Sequence, residues 1–160
     1  MFKCNKKLIS FAIIISSINF AIAASHKTLP NYTELLNALV QGDEIRAVIA
    51  FNKCSPLSGN AKDTNDSLGG MNFNNFNKYK IQTNGQAKDV IATSVTLLTQ
   101  HSQHGPVYNY VRLHVFEDGT TEVLSQILDP KNYALLGQAT FACHLGNDKE
   151  QNSITLYDLS

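Results

Sequence analysis

The 160-residue chain balances 13 Lys and Arg against 13 Asp and Glu, a formal net charge of zero, with 43% hydrophobic residues and no Trp. That balance excludes a basic, polyanion-seeking protein such as a nucleic-acid binder, and the length bounds the chain to one domain around one core. Three Cys without a C-x-x-C spacing exclude a redox dithiol of the usual kind.

Met1 to Lys7 is a basic segment, Leu8 to Phe20 an apolar run of 13 residues, and Ala21-Ile22-Ala23 places small residues at the two positions a signal peptidase reads. Residues 1–23 are therefore expected to be a signal peptide, and 24–160 a single exported domain. Ser10, Ser16, Ser17 and Asn19 interrupt the apolar run, which falls short of the roughly 20 residues of a spanning helix. No second run of that length follows, so no integral membrane segment is expected after cleavage. Loss of Lys3, Lys6 and Lys7 leaves 10 basic against 13 acidic groups, a net charge of −3, which gives no reason to expect nucleic acid as a partner. Cys4 leaves with the leader. The remaining pair, Cys54 and Cys143, reads in an exported chain as one disulfide, against the alternative of two buried thiols.

From Pro30 the pattern is helical: Leu35, Leu36, Leu39 and Val40 recur at steps of three and four over Tyr32 to Gln41. Asn31 can cap the first turn, Glu34 can return the bond, and Gly42 suits the left-handed position after the last turn. Ile45 to Phe51 follows as a strand, with Ile45, Ala47, Ile49 and Phe51 on one face, and delivers Cys54 to its end. Ser55 to Asn77 has no periodicity and is rich in Gly and Asn, which reads as a long functional or mobile loop. Within it Phe73 and Phe76 either tuck the loop onto the core or form an exposed apolar contact for a protein partner. Lys78 to Thr83 and Ala87 to Leu98 flank Asn84-Gly85, a strong hairpin signal.

Val107 to Leu128 is the centre of the pattern, two strands joined at Asp118-Gly119. Val107, Val111, Leu113 and Val115 share one face of the first, and Tyr108, Tyr110, Arg112, His114 and Phe116 the other. Asp129-Pro130 ends the second strand, and Lys131 to Leu136 is expected to turn with Tyr133 or Leu135 inward. Ala139, Phe141, Cys143 and Leu145 alternate on a further strand, Gly146 to Gln151 is a polar turn, and Ile154, Leu156 and Tyr157 mark a last strand. The expected fold is mainly β (α+β), an antiparallel meander of about seven strands curled toward a barrel, with one N-terminal helix packed at its side.

Laid out in this order, YTELLNAL, VIAFNKC, Gly69-Gly70, YKIQTNG, VRLHVFEDGTTEV, LDPKNYALLG and FACHLG resemble the VirK family of small exported bacterial proteins, over nearly all of the mature chain. The resemblance implies export, to the periplasm or outside the cell, and an association with virulence and host interaction. It implies no reaction, since that family brings no catalytic residues to carry over, and the Asn-rich stretch and the His residues are departures particular to this sequence.

Site chemistry in the sequence is sparse. His101 and His104, three residues apart, could share a metal ion with His114 or His144 as a third ligand, but a His pair in a polar loop is usually solvated, so no metal site is expected. Asp63 to Ser67 offers calcium-type oxygens without the Gly and Glu of an EF-hand loop. No nucleophile elbow and no free Cys beside a base is present, so a non-enzyme without cofactor is expected. Three functions compete: an accessory protein binding a protein partner through Phe73 and Phe76, a carrier of a small apolar ligand in a barrel cavity lined by Val95, Val111 and Leu113, and a metal- or His-dependent hydrolase.

Overall fold

The computed structural model describes residues 26–59, 67–83, 85–146 and 153–160. The expected leader lies outside them, as do 63–66 of the calcium-type loop, Asn84 of the hairpin turn and 147–152 of the last polar turn. The elements in chain order are β1 Lys27–Leu29, α1 Tyr32–Gln41, β2 Ile45–Ala50, a 3-10 turn Phe51–Lys53, β3 Ser55–Gly59, β4 Leu68–Asn72, β5 Phe76–Thr83, β6 Gln86–His101, β7 Gly105–Phe116, β8 Thr120–Leu128, β9 Leu135–His144 and β10 Ile154–Asp158.

Local chemistry accounts for α1. The Asn31 side chain accepts from the Glu34 backbone N–H at 3.0 Å, while Glu34 accepts from the Asn31 amide rather than returning to the backbone. Gly42 sits at φ 89° and its N–H, with that of Asp43, closes the last turn on Leu39 and Ala38. The helix buries Tyr32, Leu35, Ala38 and Leu39 in the common core.

The strands form two sheets rather than one curled meander. β1-β10-β2-β4 make the smaller and β3-β9-β8-β7-β6-β5 the larger, with antiparallel ladders throughout. The expectation of about seven strands closing toward a barrel is corrected here, for a physical reason. β2 and β10 pair with each other instead of joining the meander, and each sheet keeps two edge strands. The chain passes from the smaller sheet to the larger through the 3-10 turn, returns to the smaller for β4, runs through β5 to β9 in the larger, and ends in the smaller with β10. Ser55 to Asn77, read as irregular, holds β3 and β4. At Gly59, φ is +88° and a Cβ would stand 2.0 Å from the Gln138 carbonyl oxygen, so only glycine lets β3 reach β9.

The two sheets face each other across Ile45, Ala47, Ile49, Ile154 and Leu156 on one side and Ile91, Leu113, Val115, Val123 and Phe141 on the other. Strand length decides how far this packing extends. At about 3.3 Å per residue, the 16 residues of β6 and 12 of β7 far outrun the six of β2 and five of β10. The smaller sheet and α1 therefore cover only part of the larger sheet's inner face. The turn after β8 also differs from expectation: Tyr133 and Leu135 point outward, 66% and 55% exposed. Leu135 pairs with Leu128 across a register shift, and the Tyr133 ring stacks on Tyr108 at 5.8 Å, so both belong to the outer face.

Candidate functional site

Where the smaller sheet stops, small side chains hold the layers apart. Val95, Val111, Ser125 and Ala139 form one cross-strand row over β6 to β9, and Leu97, Asn109, Ile127 and Gly137 form the next. Opposite them stand Gly69 and Gly70 of β4, with Ile49, Phe51 and Met71 beside them. Ser125, Ala139, Gly69 and Gly70 cannot fill a gap of about 10 Å between packed sheets, and an open cleft of about 480 Å³ remains. Among the described residues its walls carry no Asp, Glu, Lys or Arg, and the Ser125 hydroxyl donates to Asn109 Oδ1 at 3.3 Å on its floor. A second hollow of about 350 Å³ adjoins it, sharing Ser125 and Ala139 and ending at His101 and His104. Ligand sites are concave, mostly apolar and of this size.

The base of the cleft is set by the disulfide. Cys54 and Cys143 are bonded, with Cα atoms 4.6 Å apart, joining the approach to β3 with the end of β9. Phe51, three residues before Cys54, meets Phe141, two before Cys143, edge to face at 5.2 Å. A Cβ at Gly69 would come within 2.8 Å of the Phe51 ring, so glycine there lets the ring lie against β4.

The other residues singled out from sequence fall elsewhere. Phe73 is 5% exposed and part of the core, and Phe76 is half-buried against it. Of the two readings the structure carries the first, in which the segment is tucked onto the core; Phe73 as a partner contact is corrected because its ring is inside. His101 and His104 do meet, with rings stacked at 4.9 Å, and the Gln103 N–H donates to His101 Nδ1 at 3.2 Å. Neither His114 nor His144 joins them, because both sit toward the β7–β8 turn, at the far end of strands roughly 30 Å long. Among the described residues no group of three or more His, Cys, Asp or Glu could hold a metal ion. Leu113 is fully buried and does not line the cleft, unlike Val95 and Val111.

One polar cluster was not anticipated. On the outer face Tyr79 Oη lies 3.2 Å from His114 Nε2, Arg112 Nη2 donates to Glu122 Oε1 at 3.1 Å, and the same oxygen is 4.0 Å from His114 Nδ1. Alternation along β7 placed Arg112 and His114 together, but Tyr79 and Glu122 come from β5 and β8 and needed the register. Burial first, then the Arg112 charge, hold His114 below its ordinary value, against the opposing pull of Glu122. The unfolded chain keeps that ordinary value, about 6.5, and so takes up protons first as pH falls. Stability present above pH 6.5 is then lost progressively down to the folded pKa. Urea midpoints should fall on acidification below about pH 6.5, and His114→Asn should flatten that part of the profile.

Comparison with known proteins follows the same outline. Residues 28–133 match the family model described as VirK protein. No curated protein sequence matches the chain. Among solved structures, the crystal structure of a VirK family protein from Legionella pneumophila is similar, with a TM-score of 0.62 and 17% identity over 81% of this chain and 97% of that one. At that identity the likeness shows a shared fold.

Proposed function

The chain belongs to the VirK family, and from that premise we propose that it is an exported, non-catalytic, virulence-associated binding protein whose cleft between the two sheets takes a small apolar ligand. The observation that carries this reading is the cleft itself: about 480 Å³, walled by Val95, Val111, Leu97, Ile49 and Phe51, and free of charged side chains among the described residues. Export is supported by the leader-like residues 1–23 and by the disulfide, since such bonds persist in oxidising compartments. The absence of a three-ligand cluster among the described residues weighs against the hydrolase reading. A second reading, a protein partner, is favoured by one feature. Leu98, Tyr108, Leu128 and Leu135 form a row across the outer face, Leu98 and Leu135 exposed and Tyr108 and Leu128 half-buried, with Tyr133 stacked on it.

An uncharged apolar dye, N-phenyl-1-naphthylamine, separates the two. The purified protein should bind it with enhanced fluorescence. Val95→Trp, which fills the cleft, and Leu97→Lys, which charges a half-exposed wall position, should each abolish most of the signal, whereas Leu98→Lys on the outer face should not. A wild-type protein that does not bind the dye, or loss of signal only in Leu98→Lys, would overturn the cleft as the site. Leu97 is 53% exposed, so its substitution tests the site without endangering the fold.

A further inference from the structure

The two adjoining hollows differ in chemistry along their length. From this difference we infer that the ligand is a single-chain amphiphile with a carboxylate head: the chain lies in the cleft between the sheets and the carboxylate at the His101–His104 end. The inference rests on the cleft being the binding site and names what occupies it. At the inner end the walls are Phe141, Val111 and Val95, with nothing ionisable among them. Toward the β6–β7 hairpin the lining changes to His101, Gln103 and His104 around Ile127 and Leu136. Ser125 and Ala139 belong to both hollows, so only small side chains border the path from one to the other. From the Phe141 position to the Gly137 position, four residues along β9, the path spans roughly 13 Å at about 3.3 Å per residue. That length suits an extended acyl chain and exceeds what a compact ligand would use.

The polar end is biased toward hydrogen-bond donation. His101 Nδ1 accepts the Gln103 N–H at 3.2 Å, which leaves Nε2 as the ring's donor. The Gln138 side chain takes no part, since it accepts from the Gln126 amide at 2.7 Å on the outer face, where Gln126 pairs with Tyr110. Among the described residues neither hollow is lined by an Asp or Glu that would repel an anion. Donors without a competing carboxylate, at the end of an apolar trough, complement an acid head more than a hydroxyl. Hydrogen bonds to charged groups are the stronger kind. The stacked His pair thereby acquires a role that needs no metal and no third ligand.

Displacement of N-phenyl-1-naphthylamine by lauric acid and by 1-dodecanol, which shares its chain and lacks the carboxylate, tests the inference. Lauric acid should displace the dye at a concentration about tenfold lower than dodecanol, in line with the added strength of charged hydrogen bonds. In His101→Ala/His104→Ala the dye should bind as before, dodecanol should be unaffected, and the advantage of lauric acid should disappear. Equal displacement by the two compounds in the wild type, or an unchanged preference in the double variant, would overturn the carboxylate assignment while leaving the cleft in place. Failure of the wild-type protein to bind the dye would overturn both.

Discussion

Replacement of both Cys54 and Cys143 by Ser is expected to lower unfolding stability by about 4 kcal/mol, read as a shift in the urea midpoint at unchanged slope. The bond spans 89 residues of sequence, so its loss frees a large loop in the unfolded chain. In the chain-entropy account a closure of that length lies between the roughly 3 kcal/mol of a short loop and the roughly 5 kcal/mol of a hundred-residue one. Domains of this size are stable by only about 5–15 kcal/mol, so the variant should sit near the margin of folding. The effect reaches the site as well. The bond ties the 3-10 turn, with Phe51, to β9, with Phe141, and those two rings close the base of the cleft. Dye affinity should therefore fall in the double variant even at temperatures where it remains folded.

Leu113→Ala should cost about 3 kcal/mol, within the usual range for emptying a fully buried leucine, while Leu97→Ala should change stability by less than about 0.5 kcal/mol. Both residues face inward from the larger sheet, and a curled barrel with an internal cavity would expose them to similar surroundings. The two-sheet packing separates them. Leu113 is 0% exposed in a row with Thr93, Val123 and Phe141, pressed against the smaller sheet, and Leu97 is 53% exposed beyond its end. Thermal unfolding of the two variants beside the wild type measures the contrast. Similar losses in both would argue that the layers do not end where the cleft is drawn.

What could be read from the residues was local. Asn31, Glu34 and Gly42 mark the ends of α1 because capping is settled within one turn of helix. Gly85 and Gly119, at φ 78° and 80°, mark hairpin turns for the same reason, and alternation along β7 separates its two faces correctly. The partition into two sheets was not legible, because alternation tells which side chains share a face and not which strand pairs with which. β4 shows the limit most clearly. Leu68-Gly69-Gly70-Met71-Asn72 has little intrinsic strand preference and is extended because β2 offers it a ladder. β3, with Pro56 and every residue exposed, has no face to alternate and occupies a sheet edge, where proline is tolerated.

The site was half legible on the same grounds. Val95 and Val111 were placed on the inner face, and His101 with His104 at one loop, from spacing alone. The opening itself depends on small residues from separate strands standing opposite one another: Ser125 and Ala139 across from Gly69 and Gly70. No local pattern encodes an absence of side chains contributed by segments more than fifty residues apart. The third metal ligand failed for the converse reason, since His114 is close in sequence to His104 and yet lies, with His144, at the far end of the strands.

The most direct test of the central claim is a methyl NMR titration of the labelled protein with N-phenyl-1-naphthylamine. Resonances of Val95, Leu97 and Val111 should shift with saturation, while those of Leu113 and Val123, sealed beneath the smaller sheet, should hold still. Shifts concentrated instead on Leu98, Leu128 and Leu135 of the outer face, or none at saturating dye, would contradict the assignment of the cleft as the binding site.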